Sequence, residues 1–285
     1  MKIAVLISGE YRTFDLAKKS MGFLYDDCID VYFSTWDRTY HQSHRLKIIH
    51  DEEVTLDRVK NSLDDKQLTG YCYESSTMFN KSLARYNSKM IHRWRRGLDL
   101  IKYSGFEYDA IMIIRPDIYF QEPSMKIELI IERVKNIESN VLYSGWPMGN
   151  NSQDDIVLLG SPAIMHSAIG GLDIDKWGNA DQGDWHTWFW QDLTDRNIML
   201  AQIVPTVRYC FCRPNATIED DTFEKIHVKS NTWRYALIEQ QIIEYGIKRV
   251  KELWHDRILI EMEEFWISQG KPHCQLRLRS LLSRR

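Results

Sequence analysis

The apolar residues of this chain fall into short blocks whose spacing switches between two periods. Residues 3–7 form a continuous apolar run rich in branched side chains, followed by Ser8-Gly9. A run this short and this uniform predicts a strand buried on both faces, with a turn after it. Residues 14–24 have helical spacing, and residues 31–34 read as a second strand between Asp30 and Trp36-Asp37. Strand, loop, helix and strand in that order predict the opening of a parallel α/β sheet. Residues 38–70 are polar and carry little signal beyond a short helix over 55–63, capped by Thr55. The strongest helical pattern covers residues 81–103, with Met90, Trp94, Leu98 and Ile101 on one face and Gly105 beyond its end. Residues 110–114 predict a central strand that Pro116 prevents from continuing in the ladder.

Beyond this point helices are expected over 126–135 and 185–196, and strands over 141–143, 156–159 and 198–204. Residues 233–267 are mostly helical in pattern and well charged. No repeat, low-complexity tract or linker interrupts the chain. The expected organisation is an α/β domain over 1–225 and a helical extension over 226–285 packed on it.

Composition narrows the picture only slightly. Hydrophobic residues make up 44% of the 285 residues and charged residues 27%, which is globular and not disordered. A net charge of −3 argues against a molecule that captures nucleic acid or anionic membrane over its whole surface. Ten tryptophans and fourteen tyrosines suit either an aromatic core or stacking on sugars and bases. The five cysteines, at 28, 72, 210, 212 and 274, have no zinc-site spacing. Cys210 and Cys212 share one face of a strand and make poor disulfide partners, so free thiols in a reducing cytosol are expected. The first strand leaves no room for a leader, and no apolar run is long enough to span a membrane. The expected location is therefore cytoplasmic.

Open α/β sheets bind ligands beyond the carboxyl ends of their strands. Two such ends carry chemistry here. After the first strand, Ser8 and Gly9 permit close backbone approach and Arg12 offers a planar cation to a diphosphate; the alternative is an ordinary turn with a surface arginine. After the strand at 110–114 comes Arg115-Pro116-Asp117. Asp117 is placed to hold a divalent cation that neutralises a leaving diphosphate, with Arg115 assisting or replacing the metal. A structural Arg–Asp pair is the alternative.

Asp154 and Asp155 precede the strand at 156. Either could accept a proton from an attacking hydroxyl or orient an acceptor, or both are simply solvated; Asp181 and Asp184 are rivals for the same role. Arg85, Lys89, Arg93 and Arg96 form a cationic stripe on the long helix, which either steers a polyanion or is a solvated face. His227 is a candidate late metal ligand. Arg277, Arg279, Arg284 and Arg285 either touch an anionic surface such as a membrane or form a solvated tail.

The ordered series of these motifs resembles bacterial and large-virus glycosyltransferases of the GT-A type. The resemblance rests on Lys-Ile-Ala-Val-Leu-Ile-Ser-Gly-Glu-Tyr-Arg-Thr at 2–13, Asp-Val-Tyr-Phe-Ser-Thr-Trp at 30–36, the stretch 108–120 with Arg-Pro-Asp-Ile-Tyr-Phe, and the acidic pair leading to Gly-Ser-Pro at 160–162. It covers about residues 2–210 and implies a nucleotide-sandwich fold with a mostly parallel central sheet, the helical extension following it. It implies a nucleotide-sugar donor near Ser8, Gly9, Tyr11, Arg12 and Trp36, helped by Arg93 and Arg115. Asp117 would stand at the metal-binding Asp-x-Asp motif, and Mg²⁺ or Mn²⁺ is the expected ion, for which His227 is the separate candidate named above. Arg115 occupies the first acidic position of that motif, a departure that puts metal dependence in question. Asp154, Asp155 and Asp184, from the reading of the residues above, are the expected acid–base candidates. Three activities follow from the resemblance: transfer to a saccharide acceptor, transfer to modified bases of DNA, or non-catalytic binding of a nucleotide or glycan.

Overall fold

The computed structural model describes residues 1–42, 49–77, 86–122, 125–145, 155–173, 185–204, 206–213, 215–217, 219–220, 222–253 and 256–268. The chain divides into two compact units, Met1–Tyr40 with His50–His227, and His41–Ile49 with Val228–Arg285.

The first unit is built on a seven-stranded sheet. Its strands are β1 (Ile3–Ser8), β2 (Ile29–Trp36), β5 (Gly70–Glu74), β6 (Ala110–Ile114), β8 (Val141–Ser144), β9 (Val157–Gly160) and β10 (Met199–Gln202). Between β2 and β5 in the chain lie β3 (Arg38–Gln42) and β4 (Ile49–Glu53), and β7 (Ile118–Phe120) pairs with β11 (Tyr209–Phe211) in a separate ribbon. The sheet order is β10-β8-β9-β6-β1-β2-β5. β1 is central and runs parallel to both β2 and β6, with Ser8 opposite Ser34 and Ile7 opposite Ile114. β2–β5 and β8–β10 are also parallel, whereas β9 is antiparallel to β6 and β8. The sheet is mostly parallel, as its uniformly apolar strands predict, since such strands must be covered on both faces.

All six residues of β1 are buried, and the strand sends alternate side chains to opposite layers. Ile3, Val5 and Ile7 join Phe14, Phe33 and Met112 in one core. Ala4 and Leu6 join Trp94, Leu98, Ile113 and Phe189 in the other. The first core is closed by α1 (Phe14–Ala17), α2 (Leu56–Lys60) and α4 (Ile127–Lys135). The second is closed by α3 (Tyr86–Tyr103), α5 (Pro162–Gly170) and α6 (Trp185–Asp195).

α3 approaches β1 closely at Gly97, where an added Cβ would lie 2.3 Å from Leu6 Cδ1. Its buried face runs through Ile91, Trp94, Leu98 and Ile101, with Met90 only partly covered. Gly105, at φ 77°, supplies the left-handed residue that follows this helix. Thr55 caps α2 as expected, its Oγ accepting the Arg58 N–H at 3.2 Å.

Two expectations are revised. The single helix expected over 14–24 is instead α1 followed by two short 3₁₀ turns, Lys18–Ser20 and Gly22–Tyr25. Met21 leaves helical geometry at φ −111° and ψ 41° just before Gly22, a poor helix former. The broken path still buries Phe14, Ala17, Met21 and Leu24. The stretch read as a Gly-Ser-Pro turn continues directly into α5, with Ser161 Oγ accepting the Ile164 N–H and Pro162 in the first turn.

The second unit contains most of α7 (Phe223–Leu253), interrupted at Gly246 by non-helical geometry, and α8 (Asp256–Ser268). Tyr235, Ile238, Leu259, Met262 and Trp266 form its core. Among the described residues, no helix is long and apolar enough to cross a membrane.

Candidate functional site

The parallel register brings the carboxyl ends of β1, β2 and β6 to one edge of the sheet, and the loops that leave them meet there. Gly9 has φ 141°, donates its N–H to the Ser34 carbonyl at 3.1 Å, and lies where a Cβ would be 3.1 Å from Pro116 Cδ. That close approach presses the β1 loop against the β6 loop, and a side chain at position 9 would strain it. Arg12 has φ 37°, a left-handed conformation that a non-glycine residue holds only when its surroundings enforce it.

Asp117 provides that enforcement. It is 1% exposed, accepts from Arg115 Nε on Oδ1 at 2.9 Å, and accepts from Arg115 Nη2 and Arg12 Nη1 on Oδ2, both at 2.8 Å. Arg12 Nε also donates to Glu10 at 3.0 Å. Burial by itself raises the pKa of Asp117. The charges of Arg115 and Arg12, the Arg115 hydrogen bonds and the charge of Arg213 outweigh burial and hold the carboxyl far below the ordinary carboxylate range. Ser8, Gly9, Glu10, Arg12 and Asp117 thus line one crevice, in which a direct hydrogen bond joins Arg12 to Asp117 across 105 positions of sequence.

Beyond Asp117 the chain enters β7, whose pairing with β11 carries in a third arginine. Cys212 donates its N–H to the Asp117 carbonyl at 2.8 Å, and Thr13 Oγ donates to the Cys212 carbonyl at 3.0 Å. Arg115 and Arg213 both lie against the Phe211 ring, their Cζ atoms 5.1 and 4.5 Å from its centroid.

The opposite wall of the cleft comes from α3 and the end of β2. Arg93 is 1% exposed, donates to the Thr35 carbonyl at 2.8 Å, pairs with Glu74 and lies 3.9 Å over the Trp36 ring. Ser34 Oγ donates to the Arg93 carbonyl at 2.8 Å, fixing the helix to the strand. Glu74, at the end of β5, also engages His92 at 2.9 Å and Arg96 at 2.8 Å. Burial opposes its ionisation, but these cationic and imidazole partners hold its pKa down to about 2.

Between the two walls lies a cleft with about 460 Å³ of empty volume, part of it open to solvent. Four cationic side chains, Arg12, Lys89, Arg93 and Arg115, face it against two carboxylates, Glu10 and Asp117. Ser8 Oγ and Arg93 Nε, both buried at the cleft, have no hydrogen-bond partner among the described residues. Buried polar atoms without partners are uncommon and call for an explanation such as a ligand.

Several expected site residues lie elsewhere or play a different part. Tyr11 turns into the core, stacked on Phe33 at 5.5 Å, edge-on to Phe14 and hydrogen-bonded to Asp15 at 2.7 Å. Burial first, and then Asp15, push its phenol pKa upward. Trp36 lines the cleft but is 3% exposed, with Arg93 over its ring and His92 stacked at 5.7 Å. The arginine stripe of α3 is not one solvated face: Arg93 is buried, Lys89 lines the cleft and Arg96 binds Glu74, while Arg85 lies outside the described residues.

Asp155 is buried just before β9, where Ile156 accepts the Arg115 N–H at 3.3 Å, and its Oδ1 is 3.9 Å from His186 Nδ1. Asp154, Asp181 and Asp184 lie outside the described residues, as do Cys274 and the arginines at 277, 279, 284 and 285. The other four cysteines are free, and burial raises their thiol pKa values.

The expected metal pair does not fit these surroundings. His227 is exposed and stacked on Phe223 at 5.7 Å. Both oxygens of Asp117 accept from guanidinium groups, so a dication there would face two like charges at contact distance. No cluster of three or more His, Cys, Asp or Glu suited to a metal occurs among the described residues.

Sequence reasoning did not pick out Arg213, Glu74 or His186. Arg213 follows a three-residue strand with no motif, and Glu74 ends a five-residue strand that begins where the polar stretch 38–70 stops. For His186 the available signal was its position one residue inside α6.

The fold and site together define an α/β protein with a cleft, lined by four cationic and two anionic side chains, at the carboxyl edge of parallel strands. Among solved structures it is similar to the glycosyltransferase GlyE of Streptococcus pneumoniae TIGR4, at 10% identity over 70% of this chain and 45% of that one, with a TM-score of 0.42. It is also similar to the galactosyltransferase LgtC, solved with donor and acceptor sugar analogs, at 12% identity over 70% of this chain and 72% of that one, with a TM-score of 0.41. The chain spans less than half the length of GlyE, and both likenesses are distant. No protein-family model and no curated protein sequence matches the chain.

Proposed function

We propose that the first unit is a glycosyltransferase of GT-A-like organisation that moves a sugar from a nucleoside-diphosphate sugar to a hydroxyl of a saccharide acceptor. The observation that carries the reading is the convergence of Arg12 and Arg115 on buried Asp117, in a cleft that also presents unpartnered Ser8 Oγ. Two planar cations side by side suit the paired phosphates of such a donor, because each guanidinium offers parallel N–H donors to phosphate oxygens.

In the proposed reaction the acceptor oxygen bonds to the anomeric carbon and the bond from that carbon to the diphosphate breaks. Its electron pair leaves on the phosphate oxygen. The acceptor proton passes to Asp155, a buried carboxylate steadied by His186 at the same edge of the sheet. A cytoplasmic location accords with this donor class.

The test is to incubate the full chain with a panel of nucleotide-sugars, with and without saccharide acceptors, and to follow released nucleoside diphosphate. Release from at least one donor, accelerated by an acceptor, is the expected result. No release from any donor by a folded protein that still binds a nucleoside diphosphate leaves a binding module in place of an enzyme.

A further inference from the structure

We propose that this protein holds the diphosphate of its donor with arginines preorganised by Asp117, and uses no divalent cation. The inference rests on the glycosyltransferase reading and specifies how its leaving group is stabilised. The position where a metal-binding carboxylate was expected is occupied by a carboxylate already committed to Arg115 and Arg12. Asp117 is a positioning residue: it sets the two guanidinium planes and keeps them together at the cleft floor. Arg12 is held further by Glu10, in a backbone conformation it would not adopt unaided. Arg213, two residues beyond β11 and packed on the ring that Arg115 also covers, adds its charge to the field at Asp117.

The electrostatics favour this arrangement over a metal. The cleft lining carries two more positive than negative side chains before Arg213 is added. That surplus, to which Arg93 contributes while also paired with Glu74, suits the diphosphate diester of a nucleotide-sugar. A dication seated at Asp117 would add two charges beside the arginines, in a partly desolvated site where like charges repel strongly. As the bond from the anomeric carbon breaks, the electron pair develops on a phosphate oxygen. Fixed guanidinium donors stabilise that charge with little reorganisation, which is the electrostatic part otherwise supplied by a metal. No proton or further reactant is needed at the leaving group.

The experiment is calorimetric titration of the full chain, stripped with EDTA, with UDP, GDP, ADP and dTDP, repeated with Mg²⁺ or Mn²⁺ present. At least one nucleotide is expected to bind with a dissociation constant that changes less than about twofold between the two conditions, and donor turnover is expected to survive EDTA. Arg213→Ala, which leaves the bonds of Asp117 to Arg12 and Arg115 in place, is expected to weaken that nucleotide about tenfold and to flatten its salt dependence. Binding or turnover that appears only with metal, or an Arg213→Ala variant with unchanged affinity and salt dependence, overturns the proposal. Failure of every nucleotide in both conditions overturns it together with the transferase reading. Metal-free binding with no turnover of any donor refutes the transferase reading alone.

Discussion

Replacing Asp117 with asparagine tests the central joint of the site, because it changes charge at almost constant volume. The carboxylate accepts three hydrogen bonds from two guanidinium groups and is 1% exposed. Arg12 and Arg115 are themselves mostly buried, at 9% and 17% side-chain exposure, so solvent screens the interaction little. Removing one partner of a buried ion pair costs about 3–5 kcal/mol, and the lower end applies because the amide keeps one acceptor oxygen. A loss of about 3 kcal/mol in a domain of this size corresponds to a melting temperature lower by about 6–12 °C.

The pH dependence supplies an independent check. Asp117 has a depressed pKa in the folded protein, so its stabilisation is complete above the unfolded value of about 3.9 and is lost as pH falls below it. The gap in melting temperature between the native protein and Asp117→Asn should therefore be constant from neutral pH to about 5 and narrow in stronger acid. Scanning calorimetry of the two proteins across that range measures it. A variant that melts within about 1 °C of the native protein at pH 7, or a gap that widens in acid, would refute the reasoning.

Three further outcomes follow. Gly9→Ala places a Cβ 3.1 Å from Pro116 at φ 141°; it should cost about 1–3 kcal/mol and weaken nucleoside diphosphate binding, read by denaturant melts and titration. Gly97→Ala drives a Cβ into Leu6 beneath α3; it should cost about 1–3 kcal/mol in the same melts, and a variant as stable as the native protein would remove the close helix–strand approach. Asp155→Asn should slow acceptor-dependent transfer by about 10²–10⁴-fold with nucleoside diphosphate affinity preserved, and transfer at the native rate would remove Asp155 as the base.

The fold was legible where local pattern and tertiary demand coincide. β1 and β6 are runs with no polar interruption, and only burial on both faces tolerates such runs, so their place at the sheet centre could be read directly. The β3–β4 pair escaped notice because its residues are mostly polar, and β5 because its five residues, Gly-Tyr-Cys-Tyr-Glu, are too short a run to stand out; β5 pairs in parallel with the edge that β2 offers. Likewise residues 14–24 carry a helical period, but Met21 and Gly22 yield to the shape of the core they fill.

For the site, the chain by itself determined which loops carry the chemistry: Ser8-Gly9 and Arg115-Pro116-Asp117 follow the two surest strands, and in a parallel sheet both must open on the same edge. What only the tertiary structure decided is the partner each charged group takes. Whether Asp117 faces a metal or Arg12 depends on a residue 105 positions away, and Arg213 arrives from a different strand pair. Tyr11 sits one position from Arg12 yet points into the core, because the left-handed turn at Arg12 separates their directions. Hydrophobic periodicity is a local property and survives in the sequence; electrostatic pairing is set by distances through space, and appears only when the chain has closed on itself.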